Sequence, residues 1–237
     1  MPNQNQLINF DDFEKGRLDY KNHFLLPQQA IRALIFGCSG SGKTQLLLNL
    51  IVNPNIPQVG YDKLFVYSKS LEQPKYKLLQ KAVKTIEELH GVKIGYFYKN
   101  DVEMLSPKDL NPNERNLIVL DDCMLDSQNK IGDYFCMGRH SGCQCFYLAQ
   151  SYYKVPLQTV RNNCNFLIMF NVDDRDLQSI HQSHVGRDIS FKEFQEFYDH
   201  TMKEPYSFVV IDKTKPPEAG KYRVGFDTFF IPPKFTS

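Results

Sequence analysis

Eight consecutive residues, Gly37-Cys38-Ser39-Gly40-Ser41-Gly42-Lys43-Thr44, have the types and spacing to hold a chain of phosphates. They match in full the phosphate-binding pattern Gly-x4-Gly-Lys-Ser/Thr. The glycines let the backbone turn tightly with no side chain in the way. Successive backbone N–H groups then point inward as an anion cradle. The N-terminus of a following helix adds positive potential. Lys43 is placed to put a point charge on the β- and γ-phosphates of a nucleoside triphosphate, and the Thr44 hydroxyl to ligate Mg2+. Gln45, next in the chain, belongs to the same nucleotide-binding set.

A second constellation lies downstream. Leu117-Ile118-Val119-Leu120 is an apolar run that ends in two carboxylates, Asp121 and Asp122. Asp121 is the expected Mg2+ ligand, directly or through water. Asp122 is the candidate for orienting or deprotonating an attacking water. Gln150 closes the next apolar run, Gln144 to Leu148, and suits a sensor of the γ-phosphate. Arg139 precedes that run, where it is the candidate to reach a neighbouring subunit's nucleotide as an arginine finger.

These residues need elements to position them. Arg32–Phe36 reads as a strand leading into the loop, and Thr44–Ile51 as the helix leaving it, stopped before Pro54. Further strands are predicted at 63–67, 94–98, 116–120, 144–148, 166–170 and 207–211. Helices are predicted at 74–89, with Gly91 as its stop, and at 128–137, 156–162, 175–182 and 191–200. A proline-rich tail follows. Continuous apolar strands imply burial on both faces, as in a parallel sheet. Strands alternating with helices predict an α/β fold with ligands at the carboxyl ends of the strands, where all the motifs fall. Residues 1–30 read as a polar lead-in pinned by Phe10, Phe13 and Tyr20, and 31–237 as one domain with C-terminal strands and tail.

Composition sets the outer limits. The 237 residues are 42% hydrophobic and 23% charged, ordinary for a globular domain, and the net charge of +1 gives no global argument for nucleic acid. The polar start, Met1 to Gln6, has no signal peptide pattern, and no run approaches the ~20 apolar residues of a membrane span. The expectation is a soluble, intracellular protein. Of the six cysteines only Cys143 and Cys145 are close in sequence, a poor zinc signature, so reduced thiols are expected. His181 and His184 read as polar helix surface.

The segment Gly138-Arg139-His140-Ser141-Gly142, the strand ending Ala149-Gln150-Ser151, and Val160-Arg161-Asn162-Asn163 before another strand resemble the FtsK–HerA superfamily. Among its branches the chain is most similar to the poxvirus-type genome-packaging ATPases of large DNA viruses and virophages, as are Asp121–Asp122 and the closing strand Phe208 to Asp212. The resemblance spans roughly residues 30–230. It implies a P-loop NTPase of the RecA-like, ASCE type: a mainly parallel sheet flanked by helices, using ATP and Mg2+. It further implies a ring, commonly a hexamer, that drives double-stranded DNA into a capsid, with capsid vertex proteins as possible partners and no membrane. The site of action would be the assembly site in host cytoplasm, and the virion. Carried over by position, Lys43 and Thr44 are Walker A, Asp121 and Asp122 Walker B, and Gln150 the sensor. Arg139 is the trans-finger candidate, with Arg161 and Arg175 as alternatives. Two DNA-facing sets are open: the lysines 69, 75, 77, 81 and 84, which also read as a solvated helix face, and Tyr152-Tyr153-Lys154. The loop by itself also fits a small-molecule kinase or a nucleotide-dependent switch. Against these, the sequence offers no arginine-rich lid and no Asn-Lys-x-Asp motif.

Overall fold

In the computed structural model, residues 18–99, 103–123 and 126–235 are described; Phe10 and Phe13 lie outside them. Strands β1 (Arg32–Phe36), β2 (Lys63–Ser68), β3 (Gly95–Tyr98), β4 (Asn116–Asp121), β5 (Cys143–Ala149) and β6 (Phe166–Met169) run parallel. Strands β7 (Val209–Asp212), β8 (Tyr222–Val224) and β9 (Thr228–Phe230) continue the sheet antiparallel. Among the described residues these nine strands form one sheet in the order β3-β2-β4-β5-β1-β6-β7-β8-β9. The helices are α1 (Lys43–Val52), α2 (Pro74–His90), α3 (Gln128–Met137), α4 (Asp174–Ile180) and α5 (Phe191–Thr201).

The parallel strands are apolar over most of their length because both faces are covered. In β1, Ala33 and Ile35 pack toward α1 and α2 with Leu47, Ile51, Leu79 and Val83. Leu34 and Phe36 face the other layer, with Ile131, Phe135, Leu177 and Phe194 from α3, α4 and α5. The helix ends follow local chemistry. Gly91 closes α2 at φ 67°, a left-handed turn suited to glycine. Ser190 and Glu193 form a reciprocal capping box at the start of α5.

Within the C-terminal strands and tail, the three-residue strands β8 and β9 extend the sheet; they are too short to show an alternating pattern. The short helix expected at 156–162 is present as a single π-type turn, Leu157–Arg161. One expectation needs correction. The histidines at 181 and 184 sit on a second π-type turn that extends α4, and His184 is buried rather than solvated.

The lead-in from residue 18 onward packs into the body. Asn22 is buried; its Nδ2 donates to Pro27 O and to Gln144 Oε1, both at 2.8 Å, and its Oδ1 accepts from Gly60 N at 2.9 Å. A side chain at Gly60 would place Cβ 2.0 Å from Tyr20 O, so only glycine allows this approach. Tyr20 is buried, as the sequence suggested.

Four of the six cysteines (Cys123, Cys143, Cys145 and Cys164) are buried, and Cys38 and Cys136 are exposed. Burial pushes the Cys143 thiol up to about 12 and that of Cys164 to about 11, so both stay protonated and unreactive at neutral pH.

Candidate functional site

The loop from Gly37 to Gly42 joins β1 to α1. Gly37 adopts φ 146°, where a Cβ would lie 2.7 Å from Phe170 Cβ, and Cys38 N donates to Asn171 O at 2.9 Å, tying the loop to the end of β6. Gly40 and Gly42 also have positive φ, 77° and 105°. Gly42 caps α1 without a side-chain hydrogen bond, and the first turn carries no acid. The opening amides of α1 therefore lack a protein anion and are suited to an external one.

Lys43 Nζ folds back on the loop, donating to Gly37 O at 2.7 Å and Cys38 O at 2.8 Å. Burial pulls its pKa down, partly offset by Cys38 and Asp121. Thr44 Oγ1 donates to Asp121 Oδ2 at 3.2 Å. Asp121 is also held by the Tyr76 hydroxyl. Burial raises the Asp121 pKa, while the bonds from Tyr76 and Thr44 act in the opposite direction. Asp122 follows at φ 59°, a left-handed conformation that aspartate tolerates better than most residues, and its carboxylate accepts from Ser70 Oγ at 3.4 Å.

All of this opens on one cleft of about 1250 Å³ at the carboxyl ends of the parallel strands. Ser39, Gly40, Gly42, Lys43, Thr44, Gln45, Asp121, Asp122 and Gln150 line it together. The strand order explains the gathering. β5 lies between β1 and β4, so Gln150 emerges between the phosphate loop and the acidic pair. Gly37, Cys38 and Ser41 are not part of the wall, and the Ser41 hydroxyl is buried without a protein partner.

Arg139 is not brought to this cleft. It is exposed in the turn before β5, at the opposite end of the sheet, where burial and then the Arg139 charge depress the pKa of Arg32. The seven residues of β5 separate it from Gln150, a span of roughly 20 Å. Arg161 is buried: Nη1 donates to Ser179 Oγ at 3.1 Å, and the guanidinium lies over the Tyr152 ring. Arg175 is exposed and stacks on Tyr153 at 3.7 Å. Tyr152 is fully buried and so cannot line a pore, whereas Lys154 lines the cleft. In the lysine set, Lys77 and Lys84 pair with Glu72 and Glu88, Lys69 pairs with Asp126, and Lys75 reaches the cleft wall.

Sequence reasoning missed two supports of this site. Tyr76 sits inside α2 with no motif to mark it, yet it anchors Asp121. Asp176 is 2% exposed and accepts from Tyr152 N at 2.8 Å, Tyr153 N at 2.7 Å and Ser151 Oγ at 3.3 Å, fixing the turn after Gln150. The pattern Asp173-x-x-Asp176 marks only a helix start: Asp173 caps α4 by accepting from Asp176 N at 2.8 Å. Beneath this turn Tyr152 OH meets His184 Nε2 at 2.6 Å. Burial, reinforced by Lys213 and Arg161, pushes the His184 pKa down to about 3, so the ring is neutral at pH 7.

The family described as Poxvirus A32 protein matches residues 17–192, well over half of the chain. The chain belongs to the poxvirus A32 family. No curated protein matches it at a significant level. Among solved structures it is similar to B204, the DNA-packaging ATPase from Sulfolobus turreted icosahedral virus, at 18% identity and a TM-score of 0.54, covering 77% of this chain and 92% of that one. The genome packaging NTPase B204 from Sulfolobus turreted icosahedral virus 2 with sulfate gives 15% identity and a TM-score of 0.55, covering 84% and 96%. Its complex with ATP-gammaS gives 13% and 0.52, covering 85% and 98%. At these identities the shared property is the fold. Among the described residues no helix is long and apolar enough to cross a membrane.

Proposed function

We propose that the cleft binds ATP with Mg2+ and that its hydrolysis drives double-stranded DNA into a viral capsid. The chain is an ATPase of the viral genome-packaging class, as its A32-family membership gives. The observation that carries the residue-level reading is the meeting of Lys43, Thr44, Asp121, Asp122 and Gln150 in one cleft. Loop amides and Lys43 hold the β- and γ-phosphates. Thr44 and Asp121, already 3.2 Å apart, suit one hard cation. When bound, Mg2+ neutralises charge developing on the phosphates. Asp122 accepts a hydrogen bond from, and orients, the attacking water. Gln150 contacts the γ-phosphate and reports its departure to the turn held by Asp176.

Tyr76 supports this site through Asp121. In Tyr76→Phe the carboxylate loses a donor that favours its charged form, so its pKa rises further. The acid limb of the activity profile should move to higher pH, and the Mg2+ needed for half-maximal hydrolysis should rise about tenfold or more. Titrating activity with Mg2+ at several pH values checks both.

Subunits act as a ring in which Arg139 of one copy serves its neighbour. The exposed position of Arg139 far from its own cleft supports that reading, because only a second copy can present it to a nucleotide. Hydrolysis should be stimulated by double-stranded DNA. Indifference to DNA, with phosphate passed to a small acceptor, would overturn the motor. Arg139→Ala subunits mixed into wild-type protein should suppress activity more steeply than their fraction; a linear decline would remove Arg139 from the shared site.

A further inference from the structure

The cleft has a second end that no phosphate chemistry explains. Asp121, Asp122 and Gln150 mark one end, and Tyr206, Phe208 and Phe170 wall the other. Gly42, Leu46 and Asn49 lie on one face of α1 by helical spacing and line the same region. A Cβ at Gly42 would sit 3.5 Å from the Tyr206 ring and 3.6 Å from that of Phe170.

Tyr206 is held there against its own preference. Ser207 N bonds back to Glu204 O at 3.3 Å around Pro205-Tyr206. Proline in the second place and positive φ in the third are features of a type II turn, where glycine is usual. Tyr206 occupies that third place at φ 62° and is 76% exposed. A bulky aromatic in this conformation is uncommon, and strain of this kind gathers at ligand sites. Glycine would relieve it, yet tyrosine stands there, displayed beside the phosphate loop.

We propose that Tyr206 is the nucleobase platform of this cleft: its ring stacks on the purine of the nucleotide whose phosphates the loop holds. The inference rests on the nucleotide reading of the loop. With the γ-phosphate directed to Asp121 and Gln150, the base falls at the Tyr206 end, over Leu46 and beside Phe208. Recognition is by ring face rather than base edge. Asn49 on this face is turned to its own helix: Nδ2 donates to Gln45 O, and Oδ1 accepts from Asn53 Nδ2, each at 2.8 Å. Stacking on a ring face tolerates any base, so ATP and GTP bind alike.

The test compares Tyr206→Gly and Tyr206→Phe with the wild-type chain in binding ATP, GTP and inorganic tripolyphosphate. Tyr206→Gly suits the turn and should melt no lower than wild type, so lost binding is not lost folding. It should weaken ATP and GTP equally, by about tenfold, the usual size of a lost base–aromatic stack. Tripolyphosphate, which has no base, should bind unchanged, and Tyr206→Phe should bind as wild type does. Equal ATP affinity in Tyr206→Gly overturns the platform, as does a matching loss for tripolyphosphate. If wild-type protein binds tripolyphosphate and ATP no differently, the platform fails while the phosphate loop stands. If it binds neither, the nucleotide reading itself fails.

Discussion

Lys43→Ala should leave a folded protein with ATP hydrolysis reduced by about a hundredfold to a thousandfold or more. The lysine is held against the phosphate loop, with its ammonium on Gly37 O and Cys38 O. Those carbonyls are a parking place; a γ-phosphate offers a full charge instead. Burial that already lowers its pKa also strengthens its attraction for phosphate by excluding water. Charge on the transferring phosphoryl group grows toward the transition state, so the loss falls on kcat as well as on binding. Alanine is a good helix former at the first position of α1, so the fold has no reason to fail. Phosphate release at saturating ATP, with and without DNA, measures the effect. A variant keeping a tenth of the wild-type rate would remove Lys43 from the chemistry.

Asp212→Ala should give the largest loss of stability, about 3–5 kcal/mol. Asp212 and Arg223 form an ion pair with side chains 0% and 2% exposed, between β7 and β8. The guanidinium also bonds Gly220 O, Leu25 O and Phe226 O, so it staples the lead-in and the tail to the sheet. Removing the carboxylate leaves a buried charge with no counter-ion. Chemical denaturation should show the loss, with a melting point lower by roughly 6–20 °C for a chain of this size. Replacing both partners with apolar residues should recover only part of it, because three backbone carbonyls lose their donor. Removal of the exposed pair Lys84–Glu88 should cost about 0.5 kcal/mol or less. Equal effects at the two sites would refute the role of burial.

Much of this protein was legible from residues alone. The phosphate loop announces itself because its chemistry depends on contiguous backbone and a lysine at fixed offset. The same holds for Asp121, whose strand is apolar on both faces and whose carboxylate must follow it. The parallel strands β1 to β6 and helices α1, α2, α3 and α5 were readable because each repeats one pattern long enough to be counted. Tyr76 and Asp176 were not readable as parts of the site. Each acts through a partner 45 or 24 residues away, and neither distance leaves a trace in local pattern. His184 looked solvated beside polar neighbours, yet a π-type turn rotates it inward against Tyr152.

What only the tertiary structure decided is the direction of β7. The sequence determined that an apolar strand follows α5, with Tyr206 and Phe208 just before it. A parallel β7 would have started at the amino end of the sheet, far from the phosphate loop. Instead Val209 pairs with Met169 at the carboxyl end of β6, and β7 runs back down. That reversal carries Tyr206 and Phe208 to the mouth of the nucleotide cleft. Strand direction depends on the path of α4 and α5 over the sheet, a long-range packing choice that no local run of residues encodes. The phosphate end of the site was therefore written in the chain, and the aromatic end was made by the fold.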